Sequence, residues 1–298
     1  MNTPILLLAF NRPDKTAMIF ERIRNQRPCN LYISIDGPRN SKDRYLCEQV
    51  KEIVNNIDWP CMVKYKINEI NLGCGKAVST GIDWFFQEVE QGIILEDDIL
   101  PSEDFFRFCE CLLERYKANQ DVLMISGYNS NYSQGNTEFN YFFSKYPLIW
   151  GWATWRDRWK QYDFLIRDWP NCKTSILSYF TDNLIKKVYI KLLFDRLYSG
   201  QIDTWDYQFL FLSLRKRMSC IVPMLTLTEN IGFDESGTHT TKHNKKLVKV
   251  ESMVLGVEIK HPQSVDVTKF NYDEAIETHV MGMHLLGMVK QIIRTLMK

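Results

Sequence analysis

An α/β fold, with a Rossmann-like, mostly parallel central sheet and a second α+β lobe, is what the sequence predicts. Apolar runs alternate with helical stripes over the first 120 residues, the βαβ rhythm of a doubly wound sheet. Several of these runs are continuously apolar, as strands buried on both faces must be. Polar groups also gather where three of the runs end, at Asn11-Arg12, Asp36 and Glu96-Asp97-Asp98. In an open parallel sheet those ends frame the ligand crevice.

The elements follow in order. Pro4 to Phe10 is an unbroken apolar run and predicts the first strand. Asn11-Arg12-Pro13-Asp14 opens a helix, with proline in the first turn and Asp14 at the positive end of the dipole. Met18, Ile19 and Ile23 carry its stripe towards Arg27-Pro28. Leu31 to Ile35 predicts a second strand that ends at the turn signal Asp36-Gly37-Pro38. Leu46, Val50, Ile53 and Val54 share one face of the next helix, and Cys61 to Ile67 alternates as a third strand. The loop Asn71-Leu-Gly-Cys-Gly75 feeds a helix through Ile82, Phe85 and Phe86. Gly92 to Leu95 then predicts a fourth strand that runs into the acidic triplet. Beyond about residue 120 the rhythm loosens, tryptophans crowd between Trp150 and Trp169, and helical stretches appear between Thr174 and Arg217. No repeat or low-complexity linker divides the chain.

Composition narrows the functional classes. With 298 residues, 45% hydrophobic and 24% charged, the chain can bury a large core and is too polar for a set of membrane spans. A formal net charge of +1 supplies no field for nucleic acid. The opening residues lack the basic segment and long apolar run of a signal peptide. No stretch approaches the roughly 20 apolar residues that cross a bilayer. The eight cysteines show no CxxC spacing and read as reduced thiols of a cytoplasmic protein.

Three consecutive acids at a strand end repel one another unless a cation neutralises them. Mg²⁺ and Mn²⁺ take one or two carboxylates and complete their shell with phosphate and water. In extended backbone Glu96 and Asp98 would point one way and Asp97 the other. The plain alternative is a solvated turn leading to a helix cap at Pro101-Ser102-Glu103-Asp104.

Ile93-Ile-Leu-Glu-Asp-Asp-Ile-Leu-Pro-Ser-Glu-Asp-Phe-Phe106 resembles the metal-binding segment of inverting GT-A glycosyltransferases related to N-acetylglucosaminyltransferase I. Leu6–Arg12, Ile33–Gly37, Gly151-Trp152, Trp205-Asp206 and Gly232–His239 extend the resemblance in the same order. Asn71–Lys76 and Ile149–Trp155 are similar to bacterial members that build surface polysaccharides. The resemblance implies a GT-A fold, a Mn²⁺ or Mg²⁺ cofactor, a nucleotide-sugar donor, UDP-linked by the match at Asp36 and carrying N-acetylglucosamine only by the nearest relative, and a glycan or lipid-linked acceptor. It implies Asp98 as metal ligand, Asp97 at the ribose, Glu96 at the donor sugar, Arg12 near the nucleotide and Asp36 at the uracil edge. Gly151 and Trp152 would line the donor-sugar pocket, His239 would approach the diphosphate, and Asp206 would be the catalytic base. Lys76 can pair with the diphosphate as a helix-opening cation.

Each position has a plainer reading beside the functional one: turn-former for Asp36, surface lysine for Lys76, helix N-terminal acid for Asp206, solvated loop residue for His239, and core packing for the tryptophans. Asp203 is the local rival to Asp206. On this reading residues 1–120 bind the nucleotide sugar, residues 121–260 bind acceptor and carry catalysis, and residues 261–298 form an amphipathic helical tail. In that tail Met281, Leu285, Met288, Val289, Ile292 and Leu296 make an apolar stripe beside Lys290, Arg294 and Lys298. Such a helix docks on its own domain or a second subunit, or lies on an anionic membrane surface. A carbohydrate-binding protein and a sugar-nucleotide nucleotidyltransferase are the rival functions. The second would normally place a glycine-rich loop after the first strand, where this chain has Ala9-Phe-Asn-Arg-Pro13.

Overall fold

The computed structural model describes residues 1–129, 138–232, 258–265, 272–279, 283 and 285–296. Its elements are, in order, β1 (Ile5–Ala9), α1 (Pro13–Gln26), β2 (Asn30–Ile35), α2 (Ser41–Val54), β3 (Met62–Ile67), α3 (Gly73–Glu88) and β4 (Gln91–Glu96). Then come β5 (Ile99–Pro101), α4 (Glu103–Tyr116), β6 (Val122–Ser126), β7 (Tyr141–Ser144), β8 (Trp152–Trp155) and α5 (Arg156–Trp159). The last are α6 (Trp169–Phe180), α7 (Leu184–Tyr198), α8 (Asp206–Lys216), β9 (Ser219–Pro223), β10 (Thr228–Asn230), α9 (Tyr272–His279) and α10 (Leu285–Leu296).

Eight strands form one sheet in the order β3-β2-β1-β4-β8-β6-β9-β7. Neighbours β3, β2, β1 and β4 are parallel; β8 is antiparallel to β4 and β6, β9 is parallel to β6, and β7 is antiparallel to β9. The sheet is therefore mostly parallel, mixed α/β and Rossmann-like. The chain steps outward from β1 to β3 and returns to the other side of β1 with β4, so the strand order reverses beside β1. A crevice at the carboxyl ends of the strands belongs at that reversal.

Alternation along β1 separates two cores. Ile5, Leu7 and Ala9 join Ile19, Phe20 and Ile23 of α1 with Phe105 and Leu112 of α4. Leu6 and Leu8 face Val78, Ile82 and Phe85 of α3 together with Trp152, Trp205 and Phe209. Burial on both sides is why the run is apolar without interruption. β3, at the sheet edge, alternates between half-buried and exposed positions.

Local signals set the helix starts. Pro13 opens α1, Asn40 caps α2 by accepting from the Asp43 amide, and Ser102 caps α4 by accepting from the Phe105 amide. The helical stretches expected between about Thr174 and Arg217 are three helices, α6, α7 and α8, the first beginning earlier, at Trp169. At the C-terminus α10 lies on α7, Ile292 and Thr295 meeting Tyr189, Leu192, Leu193 and Arg196. Met288 is buried there, while Val289 and Ile293 stay exposed. Among the described residues no helix is long and apolar enough to cross a membrane.

Candidate functional site

The carboxyl ends of β1, β2 and β4 open into a cleft of about 620 Å³. Its walls are the β1–α1 turn (Phe10, Asn11, Arg12), the β2–α2 connection (Asp36, Arg39, Asn40) and the start of α2 (Lys42, Asp43, Leu46). The opening of α3 (Gly73, Cys74, Ala77, Val78), Glu96-Asp97 and Asp203 also line it. A volume of this order suits a cofactor-sized ligand.

β4 ends at Glu96, and Asp97-Asp98 form a turn before β5. The turn undoes the alternation expected of an extended triplet: both aspartates reach the same arginine. Arg12 Nη1 donates to Asp98 Oδ2 at 2.8 Å and to Asp97 Oδ1 at 3.3 Å. Asp97 Oδ2 accepts the Phe10 amide at 3.0 Å, so Asp97 ties the ends of β1 and β4 together. Burial pushes its carboxyl up to about 6, with Asp98 adding to the rise and Arg12 and the Phe10 amide opposing it. Glu96 is pushed well above the ordinary range by burial, then by Asp98, Asp97 and Asp206, against Arg12. Three acids therefore converge on one arginine, and the carboxylates are in excess.

The other predicted residues fall into distinct places. Asp36 lies in the cleft wall, 8% exposed, and its carboxylate already accepts from the Gly37 amide, Asn68 Nδ2, Asn71 Nδ2 and the Leu72 amide at 2.8–3.2 Å. It organises the Asn68–Leu72 loop, and a uracil edge would have to displace one of these donors. Asp206 is the first residue of α8; its Oδ1 accepts from Thr204 Oγ1 and from the Tyr207 amide at 2.8 Å. The charge of Asp206 is felt by both Glu96 and Cys74, which places it beside the acidic end of the cleft. Lys76 is exposed on the first turn of α3 and does not wall the cleft, because that turn presents Gly73, Cys74 and Ala77 inward.

Gly151 and Trp152 do not wall the cleft either. Gly151 has φ +73°, and a Cβ there would stand 2.7 Å from Thr228 Cγ2, so a side chain and not a ligand makes the close approach. Trp152 is 1% exposed and stacks on Trp205 with ring centroids 5.6 Å apart. Of the Gly232–His239 stretch only Gly232 is described; His239 lies outside the described residues. Gly232 abuts the triplet, since a Cβ on it would lie 2.3 Å from Asp98 Oδ2 and the Ile231 amide donates to the Asp98 carbonyl at 2.8 Å.

Two arrangements escaped the sequence reading. Asp203, considered only as a rival base, accepts the Gly75 amide at 3.1 Å and so caps α3 from 128 residues away. Gly73, at φ +78°, makes room for it: a Cβ would meet Asp203 Oδ2 at 2.8 Å. The second is the Asn11–Asp43–Arg39 group at the α2 end of the cleft, where buried Asp43 accepts from both neighbours. Asn40 with an acid three residues on is a capping-box-like signal that could have located it.

Among the described residues no group of three or more His, Cys, Asp or Glu is arranged to hold a metal ion by itself. The donor set still fits a hard divalent ion of the Mg²⁺ or Mn²⁺ kind, which needs one or two carboxylates when phosphate and water supply the rest. Glu96 and Asp98 are of that type, and burial together with the neighbouring acids disfavours ionised Glu96 in the ligand-free protein.

No protein-family model matches the chain, and no curated protein matches it. Solved structures similar to it include HddC from Yersinia pseudotuberculosis, at 13% identity and TM-score 0.28 over 41% of this chain; the chain spans 56% of the length of that protein. Another is apo UDP-glucose pyrophosphorylase, at 12% identity and TM-score 0.40, covering 78% of this chain and 93% of that one. UDP-glucose pyrophosphorylase complexed with UDP-glucose matches at 11% identity and TM-score 0.38, over 75% and 90%.

Proposed function

We propose that this chain is a glycosyltransferase of the GT-A type that moves a sugar from a nucleotide sugar, UDP-linked, to a hydroxyl of a glycan or lipid-linked acceptor, with inversion and with the help of Mn²⁺ or Mg²⁺. The observation that carries the reading is the excess of carboxylates at the end of β4, opening on a cleft of about 620 Å³ at the strand-order reversal. Sugar binding alone does not explain the acidic triplet at the strand-order reversal.

Asp98 and Glu96 would hold the ion, which when bound offsets negative charge on the leaving diphosphate. Arg12 keeps Asp97 and Asp98 from repelling each other and fixes their direction, its guanidinium shared between them. Asp97 locks β4 to the β1–α1 turn through the Phe10 amide, holding the cleft floor at one width. Asp206 would take the acceptor hydroxyl's proton: Thr204 and the Tyr207 amide hold one carboxylate oxygen and orient the other. Asp203 is the weaker candidate for that role, because it caps α3. The same reading places the chain in surface-polysaccharide synthesis, drawing its donor from the cytoplasm.

The test is calorimetric titration of UDP into the protein with Mn²⁺ or with EDTA, on wild type and Asp98→Ala. Micromolar binding that needs Mn²⁺ and is lost in the variant supports the reading. Equal binding with and without the ion, or in the variant, contradicts the metal role. No binding of any nucleoside diphosphate rejects the donor class.

A further inference from the structure

Building on the nucleotide-sugar reading, we infer that Arg39 and Phe10 form the platform on which the donor's base stacks, with Asp43 as the positioning residue for the guanidinium. The Arg39 guanidinium carbon lies over the Phe10 ring, 5.0 Å from its centroid. Its edge is taken by Asp43: Nε donates to Oδ2 at 2.6 Å and Nη2 to Oδ1 at 3.2 Å. The Asp43 side chain is 5% exposed and is itself held by Asn11 Nδ2 at 2.7 Å. A guanidinium bonded along one edge and covered on one face by a ring has one planar face left over. The Arg39 side chain is 49% exposed and lines the cleft, so that face is open to a ligand.

The charge pattern of the cleft selects which part of the ligand meets this face. Glu96, Asp97 and Asp203 outnumber Arg12 at the β4–α3 end, whereas Arg39 and Lys42 balance Asp36 and Asp43 at the α2 end. A diphosphate whose counter-cation Glu96 and Asp98 would hold belongs at the acidic end. The base is the remaining flat group of a nucleotide sugar, and it falls at the α2 end. Planar guanidinium stacks on planar arenes as an ammonium cannot. Because every base offers a π-face, the platform contributes affinity without choosing the base.

The experiment is titration of UDP and, separately, inorganic pyrophosphate, each with Mn²⁺, into wild type, Arg39→Lys and Asp43→Asn. Arg39→Lys keeps the charge and loses the plane. UDP should bind about tenfold more weakly to Arg39→Lys, the cost of one base stack, while pyrophosphate affinity stays within about twofold. Asp43→Asn should show the same split between the two ligands, which a merely loosened fold would not. Unchanged UDP affinity in Arg39→Lys, or an equal loss for both ligands in either variant, would overturn the platform. If wild type bound pyrophosphate but not UDP, the nucleotide reading itself would fail, a result separate from a failure at Arg39.

Discussion

Replacing Asp97 by asparagine should stabilise the ligand-free protein at alkaline pH, because burial, and after it the charge of Asp98, disfavours the ionised carboxylate. Asp97 is 6% exposed, and burial lifts its carboxyl from 3.8 to about 6. A folded pKa above the unfolded one means that protonation favours folding. The contribution is fully present below about pH 3.8 and is lost as pH rises through about 6. Above that range the ionised group costs about 3 kcal/mol, and at pH 5 about half as much. In Asp97→Asn the side-chain carbonyl oxygen still accepts the Phe10 amide, and Arg12 keeps Asp98 at 2.8 Å. Loss of the Arg12–Asp97 contact offsets part of the gain, leaving about 1–3 kcal/mol, or about 2–6 °C in melting temperature for a chain of this size. Thermal melts of both proteins in EDTA, at pH 5 and pH 8, measure it. The variant should melt higher at pH 8 by a margin that shrinks at pH 5. A margin that is absent, or larger at pH 5, would refute the reasoning that burial and Asp98 disfavour ionised Asp97.

Other consequences follow from single contacts. Gly75→Ala places a Cβ 2.6 Å from Asp203 Oδ1 and 2.9 Å from the Thr204 carbonyl, which should cost about 1–3 kcal/mol in urea unfolding despite alanine's helix preference. Since the displaced loop leads directly into Asp206 at the start of α8, turnover should fall more than UDP affinity. Glu277 of α9 is 4% exposed and bonds Tyr146 and Lys186 with Lys145 3.4 Å away, so Glu277→Ala should cost about 3 kcal/mol, read by the same assay. Burial raises the Glu277 carboxyl, but Lys186, Tyr146 and Lys145 hold it below its ordinary 4.5 on balance. Its stabilising share is therefore present at neutral pH and lost as pH falls below about 4.5, so the wild type's advantage over Glu277→Ala should shrink in acid.

The first half of the fold was legible because its signals are local. β1 reads as an unbroken apolar run since both faces are buried, Pro13 marks the start of α1, and the triplet falls where β4 stops. What was not legible depends on residues far apart. Nothing in Trp152–Trp155 announces a strand running antiparallel between β4 and β6, because four aromatic and small residues fit a core cluster equally well. The capping of α3 by Asp203 joins positions 128 residues apart, and no periodicity encodes it. Asp36 was placed correctly at a strand end, yet the four donors that fill its carboxylate come from a loop 32–36 residues later and from its own turn. Trp152 and Lys76 both lie off the cleft wall: one is sealed under Trp205 and the other faces solvent.

The central claim is that the triplet serves sugar transfer from a nucleotide donor. Its most direct test is hydrolysis of a panel of nucleotide sugars by the purified protein, with Mn²⁺ or EDTA, comparing wild type with Asp98→Ala. Metal-dependent release of nucleoside diphosphate from one donor, abolished in Asp98→Ala, is the predicted result. Turnover that yields pyrophosphate chemistry instead, or no turnover and no binding of any nucleotide sugar under either condition, would contradict it.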